Sequence, residues 1–212
     1  DWQGGVIENN YAKQGGAGIL MQNWAEGTAT GLIVCDNSAD GYGGGLYTHV
    51  CVDVNFVDCQ FYNNKSTSSG GAIYLSSSRS SFDPLSYMNF IGCDIYENQA
   101  DNKGGGIYCA YQVISGWKDC KIRDNTAGQV GGGMYTLNGS ITTLEDVRIT
   151  GNQSGDQNGP QQIPTAETIL QIGTQHQNEH DVADEVGVAA VSQNMAEETY
   201  PGQRIGQGGV VD

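Results

Sequence analysis

The chain has 212 residues, a formal net charge of −15, 32 glycines and only 4 prolines. Its nine basic residues are scattered, which excludes a nucleic-acid partner, because affinity for phosphate needs clustered Lys and Arg; Gly-rich without Pro-rich excludes collagen and a simple disordered linker. No run of about 18 apolar residues occurs, so no helix spanning a bilayer is expected.

The sequence opens at Asp1 with neither an initiator Met nor a signal peptide, which reads as a processed mature chain or an excised fragment. The first unit then sets a pattern: Trp2, Gly5, Ile7, Asn10, Ala12, a glycine cluster, Ile19 and Leu20. The second repeats it with Ala29, Leu32, Val34, Asn37, Ala39, "GYGGG", Leu46 and Tyr47. The third has Phe56, Cys59, Phe61, Asn64, Ser66, Ile73 and Tyr74. The fourth has Phe90, Cys93, Ile95, Asn98, Ala100, Ile107 and Tyr108, and the fifth Trp117, Cys120, Ile122, Asn125, Ala127, Met134 and Tyr135. A sixth stops early, with Leu144, Val147, Ile149, Asn152 and Ser154.

The Asn column steps by 27, 27, 34, 27 and 27 residues. The one long step holds "SSSRSSFDP", which reads as a seven-residue loop insertion into a 27-residue period. Within each unit the apolar positions three and five before the Asn alternate with polar ones such as Asp94 and Lys121, the period of a strand with one face inward. A unit of this length, with short strands, tight turns and no amphipathic helix, is too short for a propeller blade and suits one coil of a parallel β-helix. The expected fold is therefore all-β, a right-handed parallel β-helix of about six coils over residues 1–158, with a non-repeat acidic segment at 159–212.

Stacked coils lie about 4.8 Å apart, so a corner residue either meets the next coil or needs φ > 0, and glycine removes both problems. Gly44, Gly71, Gly105 and Gly132 are the expected corners. Asn tolerates the left-handed region, and its amide can bond to the Asn of the coils on either side. Asn10, Asn37, Asn64, Asn98, Asn125 and Asn152 are accordingly expected at a bend, as a structural ladder. Six cysteines are present, at 35, 51, 59, 93, 109 and 120. Cys59, Cys93 and Cys120 share one inward column and read as buried free thiols, since vertical neighbours carry parallel rather than converging side chains. No Cys-x-x-Cys spacing and no Cys/His cluster marks a metal site.

"FYNN" at Phe61 to Asn64 fits an FxxN motif and "GGAI" at Gly70 to Ile73 a GGA(I/L/V) motif; "IYEN…GGGIY" and "IRDN…GGGMY" are variants of the same unit. Together they resemble the repeats of polymorphic outer-membrane proteins and related right-handed parallel β-helix repeat proteins of bacteria, over roughly residues 1 to 158. The resemblance implies an exported surface, adhesive or carbohydrate-associated protein.

No catalytic residue is named. Asp36, Glu97 and Asp124 before the Asn column, and Asp40 and Asp101 after it, read as solvated turn residues. The insertion offers only Arg79 and Asp83, His49 is placed in a turn, and His176 with His180 stands beside Glu179 and Asp181 without a third ligand. After Asn152 the register is lost; the acidic tail reads as a cap over the last coil or as an arm that docks on the next molecule, building a filament head to tail. The leading expectation is thus an extracellular or cell-surface, non-catalytic structural or adhesive protein. Its partners would be copies of itself or a surface polysaccharide, and calcium is the one cofactor considered. The alternatives are a carbohydrate-active lyase or hydrolase fragment, and a calcium- or carbohydrate-binding module.

Overall fold

A computed structural model describes residues 1–23, 25–50, 53–77, 86–110, 113–137 and 140–155, together with the backbone of 168–170. Every regular element among them is a strand. The first turn holds β1 (Trp2–Gln3), β2 (Val6–Glu8), β3 (Tyr11–Ala12) and β4 (Ile19–Gln22). The second holds β5 (Gly27–Thr30), β6 (Ile33–Cys35), β7 (Ser38–Ala39) and β8 (Leu46–His49). The third holds β9 (Val54–Val57), β10 (Gln60–Tyr62), β11 (Lys65–Ser66) and β12 (Ile73–Ser76). β13 (Ser86–Ile91), β14 (Asp94–Tyr96), β15 (Gln99–Ala100) and β16 (Ile107–Cys109) make the fourth. β17 (Val113–Lys118), β18 (Lys121–Arg123), β19 (Thr126–Ala127) and β20 (Met134–Thr136) make the fifth. A sixth turn contributes β21 (Ile141–Glu145), β22 (Val147–Thr150) and β23 (Gln153–Ser154).

The chain is a parallel β-solenoid. Each turn pairs with the next through four parallel sheets, in the order β1-β5-β9-β13-β17-β21, β2-β6-β10-β14-β18-β22, β3-β7-β11-β15-β19-β23 and β4-β8-β12-β16-β20. The 27-residue register holds throughout, as in Val34↔Phe61 and Ile95↔Ile122, and becomes 34 where Phe61 pairs with Ile95. Five turns are complete in four strands, and the sixth has three among the described residues. Past it, β24 (Thr168–Leu170) runs antiparallel to β22 and covers that edge of the second sheet. The rest of the segment 159–212 lies outside the described residues.

The columns read from the sequence are the core. Val34, Phe61, Ile95 and Ile122 are fully buried, as are Leu46, Ile73 and Ile107. Phe56, Phe90 and Trp117 stack face to face down one column, with ring centroids 5.1 Å and then 4.0 Å apart and planes within 9°. The indole N–H of Trp117 donates to Ser115 Oγ at 3.2 Å, so the one polar atom of the stack is satisfied. At the other end of this column stand Trp2 and the small Ala29, paired in register. Beside Ala29 lies a pocket of about 130 Å³, lined by Trp2, Met21, Val54 and Phe56 and, on its polar side, by Asp1, Glu26 and Thr28.

The two reasons for glycine at a corner fall on different residues. Gly44, Gly71, Gly105 and Gly132 do not take a positive φ; their predecessors Gly43, Gly70, Gly104 and Gly131 do, at 61° to 70°. The later glycine of each pair is required for lack of space: a Cβ on Gly44 would stand 2.4 Å from the Lys65 carbonyl oxygen and 2.5 Å from that of Gly71. Turning and close approach are thus divided between adjacent residues. The Asn column is likewise not left-handed. The residue before it is, with Asn9, Asp36, Asn63, Glu97 and Asp124 at φ of 52° to 56° and Gly151 at 65°. The acids Asp36, Glu97 and Asp124 therefore occupy the bend itself, a position Asp and Asn hold at modest cost and Glu at a higher one.

Candidate functional site

The Asn ladder occupies the bend between the second and third sheets. Each backbone N–H and side-chain amide donates to the Oδ1 of the Asn in the next coil. The side-chain links run Asn10 to Asn37 at 2.9 Å, Asn37 to Asn64 and Asn64 to Asn98 at 3.0 Å, then Asn98 to Asn125 and Asn125 to Asn152 at 2.9 Å. The second amide hydrogen returns to a carbonyl of the previous coil, for example Asn98 to Phe61 O and Asn125 to Ile95 O, both at 2.9 Å. Asn37, Asn64, Asn98 and Asn125 are buried, so this satisfaction is what makes polar side chains tolerable there.

Cys59, Cys93 and Cys120 form the expected buried column of free thiols. Each thiol donates to a carbonyl of the preceding coil, namely Ala29, Phe56 and Phe90. Cys93, in the middle, is held protonated by hydrogen bonding to Cys120 and Cys59 and by burial. Cys109, enclosed beside Ser115, is pushed up to about 11 by burial.

On the outer faces the side chains also stack in register. Tyr47, Tyr74, Tyr108 and Tyr135 follow one another along the fourth sheet; the Tyr74–Tyr108 rings are 4.8 Å apart and within 5° of parallel. A row of aromatics suggests a platform for sugars, but Tyr74, Tyr108 and Tyr135 stack on each other's faces, and Tyr47 meets Tyr74 edge-on at 81°. Tyr108 and Tyr135 are buried in a small apolar cluster with Val130 and Leu137, and the Lys103 ammonium lies 5.0 Å from the Tyr135 ring. That end of the row is a small second core outside the coil. On the second sheet Tyr62 stacks on Tyr96 at 4.9 Å, and the Arg123 guanidinium caps Tyr96 at 4.0 Å while pairing with Asp94 at 3.1 Å. His49 ends β8 rather than lying in a turn, and its Nδ1 is 3.1 Å from Ser76 Oγ. Asp40 accepts the Tyr11 hydroxyl at 2.5 Å, and that contact raises the Tyr11 pKa. Arg79, Asp83, Cys51, His176 and His180 lie outside the described residues.

One grouping went unread in the sequence. Cys35 does not join the inward thiols: it stands two residues before Asn37, in the outward column of Glu8, Tyr62, Tyr96 and Arg123. Glu8 is its rung neighbour and Asp36 its chain neighbour, and single donor atoms of the three lie within 4.8 Å of one another. Burial raises the Cys35 thiol above its usual value; the Tyr62 hydroxyl acts against this, while Asp36 and Glu8 add to it. Tyr62 in turn is pushed up to about 12 by its hydrogen bond with Cys35. The sequence signal was a cysteine one column out of register, 27 residues from a glutamate and followed by an aspartate.

Two stretches of the chain, residues 58–76 and 92–110, match the family profile of the Chlamydia polymorphic membrane protein repeat. They are the second to fourth strands of the third and fourth turns, from the corner before β10 to the end of β12 and from the corner before β14 to just past β16. No curated protein and no solved structure matches the chain. Matching repeats in a continuous solenoid make this a β-helix repeat protein resembling the polymorphic membrane proteins.

Proposed function

We propose that the chain is a non-catalytic structural or adhesive β-helix displayed at a cell surface. The observation behind this reading is the coincidence of repeat and turn: the two stretches that match the polymorphic membrane protein repeat are consecutive turns of one solenoid, and the same columns continue through the turns on either side. Such a stack gives a stiff body whose outer side chains recur at rung spacing, about 4.8 Å. That suits multivalent contact with a repetitive partner such as a surface polysaccharide. The test has two parts. Antibody against the chain should label intact, unpermeabilised cells of the source organism, and beads coated with the chain should adhere to cells or purified polysaccharide. Labelling only after permeabilisation removes the surface reading; uncoated and coated beads adhering equally removes the adhesive one. Turnover of a polysaccharide by the purified chain would replace both with the enzymatic alternative.

Assembly is the second reading, and the edge strands favour it. Among the described residues β1 to β4 are each paired on one side only, and Trp2, Val6, Tyr11 and Leu20 of that turn are exposed large apolar residues. An unpaired strand edge beside apolar side chains is a template for a further turn, supplied by a second copy or by chain that precedes Asp1. Negative-stain electron microscopy over a concentration series should show filaments; single short particles at every concentration reject this reading.

A further inference from the structure

We propose that Glu8, Cys35 and Asp36 form a binding site for a thiophilic divalent cation of the zinc class. The site stands apart from the surface reading above and does not depend on it.

Three features of the fold carry the inference. The first is placement. The parallel pairing of β2 with β6 sets Glu8 directly beside Cys35, and the left-handed backbone at Asp36 (φ 56°) follows at the end of the strand. One thiol sulfur and two carboxylate oxygens thus come within 4.8 Å of one another. Around a single zinc, bonds of about 2.0–2.3 Å put donor atoms roughly 3.5 Å apart. Glu8 and Asp36 are exposed, so rotation of their carboxylates closes the difference without moving the backbone.

The second is the state of the thiol. Cys59, Cys93 and Cys120 each donate to a backbone carbonyl at 3.3 to 3.4 Å, which is the ordinary resting state of a buried cysteine. Cys35 is only 2% exposed, yet its approach to Glu8 Oε2 is 4.0 Å, at the limit of a sulfur hydrogen bond. It is a buried sulfur turned toward the side chains of Glu8, Asp36 and Tyr62 instead of toward backbone.

The third is donor chemistry. A thiolate is a soft ligand, and two carboxylates with one thiolate suit zinc or cadmium. Calcium takes six to eight oxygens, so this trio moves the expected cation from calcium to zinc. Cys35 loses its proton to solvent as the metal–sulfur bond forms. Thiolate and carboxylates together carry three negative charges against the two positive charges of the ion, and water completes a four-coordinate shell.

The experiment titrates the full chain, reduced and metal-free, with Zn2+, Cd2+ and Ca2+ by calorimetry, and follows the ultraviolet thiolate-to-cadmium charge-transfer band. One equivalent of Zn2+ or Cd2+ should bind and the band should appear. Cys35→Ala should remove the band, and its affinity loss should exceed the roughly 10–100-fold that outer-shell changes cost. Glu8→Gln, at an exposed position, should weaken binding at least about ten-fold with the circular dichroism spectrum unchanged. Retention of band and affinity in Cys35→Ala would place the metal on other thiols and overturn the proposal. Binding without the band, which points to the histidines at 176 and 180, overturns it too. So does Ca2+ binding more tightly than Zn2+, or no binding of Zn2+ at millimolar concentration.

Discussion

The side-chain amide of Asn64 donates to Asn98 Oδ1 at 3.0 Å across 34 residues, the same distance at which Asn37 reaches Asn64 across 27. The seven extra residues (34 − 27) therefore leave the ladder undisturbed. They fall between Ser77 and Ser86, where the third turn has eight residues and the second, between Val50 and Val52, has one. Deleting seven of those eight should leave the solenoid folded, with an unfolding free energy in urea within about 2 kcal/mol of the parent, because closure entropy changes by only about 0.6 kcal/mol for each doubling of the connecting length. Loss of cooperative unfolding in the deletion would show that the insertion holds the fourth turn in place.

Within the ladder the middle members matter more than the ends. Asn98→Ala strips the acceptor from the Asn64 backbone N–H and side-chain amide, and the donor from Phe61 O and Asn125 Oδ1. A buried group left unpaired costs about 1–3 kcal/mol, so a total loss of roughly 3–5 kcal/mol is expected. Asn10→Ala, at an exposed position, should cost less than about 1 kcal/mol. Chemical denaturation of the two variants gives the comparison; equal losses would mean that the ladder's burial contributes nothing.

Adjacent glycines should respond unequally to the same methyl group. Gly44→Ala pushes Cβ into carbonyl oxygens at 2.4 and 2.5 Å, which only a backbone shift relieves. Gly45→Ala meets its nearest atom, Ala72 O, at 3.0 Å, and the next turn already carries Ala72 in that column, fully buried. A loss of about 2 kcal/mol or more is expected at Gly44, and less than about 1 kcal/mol at Gly45. A melting comparison decides it, and the order reversed would contradict the crowding argument.

The inward columns were legible in the sequence because their periodicity survives one insertion: Val34, Phe61, Ile95 and Ile122 are buried as read. What the sequence hid was conformational detail one residue away. Asn and Asp both take the left-handed region readily, so spacing could not show that Asp36 rather than Asn37 turns the chain. Nor could it separate Gly43, which needs its φ, from Gly44, which needs its missing Cβ. The Glu8–Cys35–Asp36 group is a contact between rungs 27 residues apart, visible only once register and outward direction are fixed together.

The cavity beside Ala29 offers a stabilising change. Trp2, Met21, Val54 and Phe56 form its apolar side, opposite Asp1, Glu26 and Thr28, and the same column carries Phe and Trp in the third to fifth turns. Ala29→Val or Ala29→Leu adds methyl groups to empty volume and should raise stability by about 0.5–2 kcal/mol. A fall instead would show that the surrounding side chains close on Ala29 too tightly to admit a larger one.

Alkaline pH should weaken the fold through Cys109. Burial pushes this thiol up to about 11, whereas in the unfolded chain it ionises near 8.5. Between these values the folded state binds more protons than the unfolded, so stability is intact below about pH 8.5 and falls as pH rises toward 11. Two to three pKa units correspond to roughly 3 kcal/mol by the end of that window. Cys109→Ser supplies a hydroxyl that does not titrate there. Its urea midpoint should start below the parent at pH 8 and fall less steeply by pH 10.5. Parallel slopes in the two proteins would assign the alkaline loss to other groups and leave the Cys109 thiol accessible to base in the folded state.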